Sequence, residues 1–169
     1  MALSEFTVAG ALVESPDGLL LVQNRRRNGS LDWSTPGGVI DATDESLLHG
    51  LAREVEEETG LHVTAWEGPL YEVRAVAPEL GWSMRCEVHR ALDFHGTLRI
   101  DDPDGIVIDA RFAPVDHWSD LLASCAQWVR EPLADWLELR WGPTEHRRYV
   151  YDVLGAHRDA VQVVRTSPA

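Results

Sequence analysis

The sequence predicts one α+β domain, and three observations lead to that fold class. Its 169 residues suffice for a single domain with its own hydrophobic core. Short apolar or alternating runs, which are typical of strands, recur along most of the chain. One amphipathic helix near residues 45–59 interrupts them, and two further helices are expected near 118–128 and 131–139.

The composition argues against several classes of function. A net charge of -13 disfavours a broad basic face for a nucleic-acid polymer, whereas a small phosphorylated ligand remains compatible because bound cations can invert the local field. The N-terminus lacks a basic region followed by an apolar run, and no stretch approaches the roughly 18 apolar residues of a membrane span. We therefore expect a cytoplasmic protein without a membrane partner, in which Cys86 and Cys125 are free thiols.

The first two predicted strands, at residues 6–14 and 19–23, are expected to form a hairpin. The sequence Ser-Pro-Asp-Gly at 15–18 places each residue where turn chemistry favours it. A polar loop over residues 24–34 should follow.

That predicted loop carries the dense basic run Arg25, Arg26 and Arg27. These side chains are either solvated or contact a substrate phosphate, because guanidinium groups match phosphate oxygens in geometry. Their position just before a glycine-rich turn favours substrate contact. Trp33 follows, either as a core residue or as a surface on which a base stacks.

The glycine-rich turn and the amphipathic helix occupy the centre of the sequence. Pro-Gly-Gly at 36–38 predicts a tight backbone turn. The helix should begin near Asp44 or Glu45, with Thr43 or Asp44 as its N-cap, and Gly60 should end it. Its buried face consists of apolar residues at helical spacing: Leu47, Leu48, Leu51 and Val55.

The remaining sequence predicts mainly strands. A break near Pro132 should separate the two later helices, and Asp104 lies in a loop over 95–105. Candidate strands are 61–66, 71–77, 82–94, 106–113, 149–154 and 161–164, of which the last two should form a hairpin. Four tryptophans are expected to pack in the core, or else to form a homodimer interface: Trp118, Trp128, Trp136 and Trp141.

Three glutamates of the central helix share one face. On a helical wheel Glu58 lies about 40° from Glu54 and Glu57 about 60° to the other side, whereas Glu56 points away. Such a face is either an exposed acidic patch or a site for a hard cation that prefers oxygen ligands, such as Mg²⁺ or Mn²⁺.

The sequence around these glutamates resembles a known signature. Residues 53–61 fit the pattern Arg-Glu-apolar-x-Glu-Glu-x-Gly-apolar at every specified position, and Glu45 and a Gly-Gly turn precede them. This segment resembles the signature box of the Nudix hydrolases, the MutT-like pyrophosphohydrolases. The resemblance spans roughly residues 6–140. It implies an α/β/α sandwich with a mixed central sheet and the box helix on one face. A C-terminal hairpin extension, residues 141–169, is then expected to pack on a Nudix domain formed by residues 1–140.

The resemblance also implies an activity, namely metal-dependent hydrolysis of a nucleoside diphosphate linked to another moiety. The substrate would be a small nucleotide, either a nucleoside triphosphate or a nucleotide sugar such as ADP-ribose. The matching metal ligands are Gly38, Glu54, Glu57 and Glu58, with Mg²⁺ or Mn²⁺ as the cation. Glu54 is also a candidate general base, and Glu54, Glu57 and Arg53 form the catalytic group.

Further residues would support that group. Arg53 and Glu45 match residues that orient the carboxylates, and Asp104 lies roughly where some relatives carry another acidic ligand. One departure is that six residues, not five, separate Gly38 from Glu45, which we attribute to a one-residue insertion in the loop. A non-catalytic nucleotide sensor with the same fold is the alternative function.

Overall fold

The computed structural model describes residues 2–166, which form two β-sheets and three α-helices. The helices are α1 (Leu47–Thr59), α2 (Trp118–Leu122) and α3 (Gln127–Leu139). The strands are β1 (Ser4–Leu12), β2 (Glu14–Ser15), β3 (Gly18–Arg25), β4 (Leu31–Ser34), β5 (Gly37–Val39), β6 (Leu61–Ala77), β7 (Trp82–Gly96), β8 (Val107–Ala113), β9 (Arg147–Leu154) and β10 (Gln162–Arg165).

A mixed six-stranded sheet with the order β10-β9-β6-β7-β1-β5 forms the centre of the molecule. Strand β1 runs parallel to β7 and antiparallel to β5, and β6 runs parallel to β9. The second sheet contains β2, β3 and β4, with β8 paired to β3.

Helices cover the central sheet on both sides, because successive side chains of each strand point to opposite faces. Helix α1 packs on one face in a cluster that contains Ala9, Ala11, Leu51, Val55 and Leu61. The other face packs against the later helices in a cluster that contains Tyr71, Val73, Leu133, Trp136 and Tyr149. The predicted α+β sandwich with a mixed central sheet is confirmed.

Helix α1 begins later than the sequence predicts. Its N-cap is Ser46, whose Oγ accepts a hydrogen bond from the His49 N–H at 3.1 Å. The predicted N-caps, Thr43 and Asp44, lie in the preceding loop, because the Asp44 side chain bonds the Asp41 N–H and Arg53 instead of the helix N-terminus. The predicted end is confirmed: Gly60 adopts a left-handed conformation with φ of 77°, and its N–H bonds the Glu56 carbonyl.

The predicted hairpin of the first two strands is wrong for most of its length. Near Val13 the chain passes from the central sheet into the second sheet, so that β1 pairs with β5 and β7 while β3 pairs with β4 and β8. Only the two residues of β2 pair back onto β3. The apolar residues of both strands therefore become buried against remote parts of the chain.

Two other boundaries also differ from the sequence prediction. The expected loop over residues 24–34 is largely a hairpin of β3 and β4, with buried Asn24 bonding across it to Asp32 at 3.0 Å. Pro132 lies inside α3, where it is buried, instead of ending a helix; the break falls between Leu122 and Gln127.

The C-terminal segment joins the central sheet. Strands β9 and β10 form the predicted antiparallel hairpin, and β9 lies beside β6. The division of the chain at residue 140 stays a prediction. The four tryptophans pack in or against the core, with Trp136 and Trp141 buried. In the segment from residue 2 to residue 166, no helix is both long and apolar enough to cross a membrane.

Candidate active site

Arg53 links the acidic residues on the exposed side of α1. Its Nη1 donates to Glu54 Oε1 at 2.9 Å and to Glu57 Oε2 at 3.2 Å. Its Nε and Nη2 donate to the two carboxylate oxygens of Asp44 at 3.1 Å and 3.0 Å. A guanidinium with four such bonds fixes the positions of the carboxylates around it.

Glu58 is a partly buried carboxylate near the end of α1. Burial raises its pKa to about 8, although the Gly37 N–H, which donates to its Oε2 at 3.0 Å, favours the charged form. The charges of Glu54 and Asp102 raise the pKa further. This carboxylate therefore joins α1 to Gly37, the first residue of β5. The tight turn expected at residues 36–38 is wrong in this respect, because Gly37 and Gly38 pair with β1 as part of a strand.

Glu54 lies directly against Gly38. A Cβ atom at position 38 would be 2.6 Å from both Cδ and Oε2 of Glu54, so that a side chain there would displace the Glu54 carboxylate. Burial also raises the pKa of Glu54, against the opposing effect of Arg53 and with added repulsion from Glu57 and Asp104. Two neighbouring carboxyl groups thus resist ionisation together.

This donor set fits a hard divalent cation. Its side chains offer only oxygen atoms, and their mutual repulsion leaves negative charge that one shared arginine does not neutralise. Within residues 2–166 no three His, Cys, Asp or Glu side chains converge on one point as a finished metal site. Arg53 and the Gly37 N–H hold carboxylate oxygens of Glu54, Glu57 and Glu58 instead.

Asp102 is a residue that the sequence analysis missed. Its carboxylate accepts hydrogen bonds from the N–H groups of Ile106, Val107 and Asp104 at 2.9, 2.8 and 3.1 Å. These bonds shape the loop before β8. Asp104 is exposed on that loop, near enough to Glu54 for its charge to act there. The Asp-Asp-Pro-Asp-Gly sequence was the available signal, but it indicated only a turn.

Glu45, which the resemblance gives an orienting role, is exposed and stands apart from Arg53. The structure instead brings Asp44 to the guanidinium. In the described part of the chain, neither a hydrogen bond nor an ion pair joins Glu45 to Arg53. The carboxylate that contacts Arg53 from the loop before α1 is therefore that of Asp44, one residue before Glu45.

In the basic run, a carboxylate holds the side chain of one arginine and leaves the other two without such a contact. Arg26 Nη2 donates to Asp32 Oδ1 at 2.7 Å, and its side chain lines a cavity. Arg25 and Arg27 are exposed, and the described residues give their side chains no hydrogen bond or ion pair. Trp33 is only 6% exposed and packs in the core, with the Arg111 guanidinium carbon 4.3 Å from its ring centroid.

The cavity beside Arg26 has a volume of about 170 Å³ and lies between the central sheet and α3. Gly37, which bonds Glu58, also borders it, so the cavity and the carboxylates meet at the start of β5. Most of its wall is apolar and includes Tyr71, Val73, Met84, Val88 and Trp128.

Known proteins share this architecture and sequence. A NUDIX domain family model matches residues 5–137. A "MutT-like protein" of Streptomyces ambofaciens is 48% identical over 61 residues, a stretch that spans 36% of this chain and 37% of that protein.

Solved structures are similar in fold at low sequence identity. A NUDIX hydrolase from Nitrosomonas europaea superposes with a TM-score of 0.70 at 19% identity, covering 83% of this chain and 93% of its own. The E. coli ORF135 protein gives a TM-score of 0.66 at 22% identity, covering 82% and 92%.

Proposed function

The chain belongs to the NUDIX family, and from that premise we propose that it is a hydrolase that cleaves a diphosphate bond with the help of a divalent cation. The substrate would be a nucleoside diphosphate linked to another moiety. The observation that carries this proposal is the shared contact of Arg53 with Glu54 and Glu57, beside the partly buried Glu58.

The cation would be held by the carboxylates of Glu54, Glu57 and Glu58, and the Gly38 carbonyl is the candidate fourth ligand. Mg²⁺ and Mn²⁺ suit this set because both prefer oxygen ligands. When bound, such an ion offsets the charge of a diphosphate and lowers the pKa of water.

The residues of the chain have separate tasks in this reaction. Glu54, whose pKa burial raises, would accept the proton of the attacking water at a carboxylate oxygen. Arg53 would hold Glu54 and Glu57 in place through its Nη1. Asp104 would add a further negative group on the loop facing Glu54.

The cavity would accept one ring of the substrate. Its volume of about 170 Å³ is below the roughly 300–1,000 Å³ of pockets that enclose a whole drug-sized ligand, so the phosphates must lie outside it. Apolar walls that include Met84, Val88 and Trp128 suit a planar base. Arg26 at its border would contact a phosphate or the base. Nucleoside triphosphates and nucleotide sugars such as ADP-ribose both satisfy this arrangement.

A nucleotide panel with and without Mg²⁺ tests the function. We expect Mg²⁺-dependent release of a nucleoside monophosphate from at least one nucleoside triphosphate or nucleotide sugar. Glu57→Gln should lower kcat by roughly 10²-fold or more, because it removes one carboxylate charge from the cation site. Glu56→Gln is the matched control, since Glu56 is exposed and pairs with His62 at 3.2 Å.

The outcomes separate the competing functions. Equal activity of the Glu57 and Glu56 variants would refute the assignment of the cation site. Tight binding of a nucleotide without turnover of any panel member would favour the sensor function over hydrolysis.

A further inference from the structure

The anchoring of Arg53 depends on a loop residue that precedes α1. Both carboxylate oxygens of Asp44 accept from Arg53, one from Nε at 3.1 Å and one from Nη2 at 3.0 Å. The Asp44 side chain is only 5% exposed. This paired arrangement leaves Nη1 free to serve the carboxylates of Glu54 and Glu57.

Asp44 is itself held in place by its own loop. Its Oδ2 accepts a hydrogen bond from the Asp41 N–H at 2.8 Å, and its N–H donates to the Asp41 carbonyl at 3.1 Å. The carboxylate is therefore held by its own loop as well as by Arg53. Glu45, the next residue, has its side chain exposed.

Gly50 provides the space in which the Asp44 carboxylate lies. A Cβ atom at position 50 would be 2.6 Å from Asp44 Oδ2 and 2.9 Å from its Cγ. It would also approach Ile40 Cδ1 at 2.9 Å, but that methyl group ends a flexible side chain. A glycine in the interior of a helix lowers stability relative to alanine, so its presence in α1 requires a structural reason. The buried carboxylate supplies that reason.

We propose that Asp44, seated against the bare backbone of Gly50, is the positioning residue for Arg53, and that Glu45 has no part in the reaction. The inference rests on the proposed function, because Arg53 in turn positions Glu54 and Glu57. Because of the extra residue between Gly38 and Glu45, Asp44 and not Glu45 supplies the carboxylate that orients Arg53. Asp44 and Gly50 depend on each other. A side chain at position 50 would meet the Asp44 carboxylate, and that carboxylate is the structural reason for a glycine at position 50.

A comparison of Asp44→Asn with Glu45→Gln tests this assignment. The asparagine amide keeps the size of the side chain but removes its charge and one acceptor. We expect kcat to fall about 10- to 100-fold with a KM change of less than about threefold, because the variant loses a residue that supports the site but keeps every contact with the substrate. The dissociation constant for Mn²⁺ without substrate should rise about tenfold. Glu45→Gln should leave both quantities within about twofold of wild type.

Two results would overturn the assignment. One is an effect of Glu45→Gln as large as that of Asp44→Asn; the other is a wild-type kcat and Mn²⁺ affinity in Asp44→Asn. If the wild-type protein hydrolyses no nucleotide, the proposed function fails, whereas the Mn²⁺ affinities still decide between Asp44 and Glu45.

A double-mutant cycle tests the dependence of Gly50 on Asp44. In the wild-type background Gly50→Ala should lower the thermal midpoint and kcat, because the new methyl group meets the carboxylate. In an Asp44→Ala background the same change should raise the midpoint by about 2–4 °C, as expected for a glycine replaced by alanine in a helix. This reversal of sign would support the pairing. The same shift in both backgrounds would contradict it, and circular dichroism would establish that each variant is folded.

Discussion

Glu58 combines burial with negative neighbours, and that combination has a measurable consequence. Its pKa is about 8 in the folded protein without metal, against an ordinary value of 4.5. A group whose pKa is raised on folding stabilises the fold fully below its unfolded pKa, and this contribution is lost as the pH rises through the folded value. The loss at alkaline pH is at most on the order of 5 kcal/mol.

The metal-free protein should therefore become less stable between pH 5 and pH 9. Urea unfolding in EDTA measures this dependence, and Glu58→Gln is the control because all other titrating groups are common to both proteins. We expect the free energy of unfolding of the wild type to fall by several kcal/mol more than that of the variant over this range. Parallel pH profiles would show that the Glu58 carboxyl is not perturbed by the fold.

At this scale the sequence predicted that three glutamates share one helix face, but not which residues hold them in place. Glu54, Glu57 and Glu58 could be assigned to one face because helical periodicity is a local property. Asp44 could not be preferred over Glu45, because the choice depends on the path of a loop that neither spacing nor propensity determines. Asp102 shapes the loop before β8 through three backbone N–H groups, and only the folded loop determines the direction of those groups.

Among the elements, the β3–β4 hairpin determines which arginine of the basic run is held in place. Buried Asn24 donates to Asp32 and to Ser34 Oγ at 3.0 and 2.9 Å, and Asp32 holds Arg26 beside the cavity. Arg27 lies beyond this network on the turn and is exposed. Position in the hairpin therefore distinguishes two adjacent arginines that the sequence treats alike.

Arg26→Ala should raise KM for a nucleotide substrate about tenfold, because a positioned guanidinium at the cavity border is lost. Arg27→Ala removes the same charge from the same turn and is the control, with an expected KM change of less than twofold. Steady-state kinetics on the preferred substrate provides the comparison. Equal effects of the two variants would mean that the net charge of the turn matters and the anchoring by Asp32 does not.

The elements themselves were predicted unevenly. The type of nearly every strand and helix followed from apolar periodicity, as for α1 and the β9–β10 hairpin. Pairing partners did not, because β1 and β3 are close in sequence but pair with β7 and β8, which lie far along the chain. The break expected at Pro132 was also wrong, because Pro132 is a buried residue inside α3 and the helix continues past it.

In the whole molecule, the two glycines at the start of β5 connect the cavity with the carboxylates of α1. Gly37 borders the apolar cavity on one side of the central sheet and donates to Glu58 of α1 on the other. Gly38 lies against Glu54. A substrate ring in the cavity and a diphosphate at the carboxylates would thus be neighbours, although they contact opposite layers of the sandwich. A cation is also the natural partner of this site in a chain with a net charge of -13.

Calorimetric titration of Mn²⁺ into the nucleotide-free protein tests the central claim most directly, because the claim is that one face of α1 holds the divalent ion. The wild type and Glu56→Gln should bind with dissociation constants within about twofold of each other. Glu57→Gln should bind at least about tenfold more weakly. Equal affinities of all three proteins, or a loss confined to Glu56→Gln, would contradict the account.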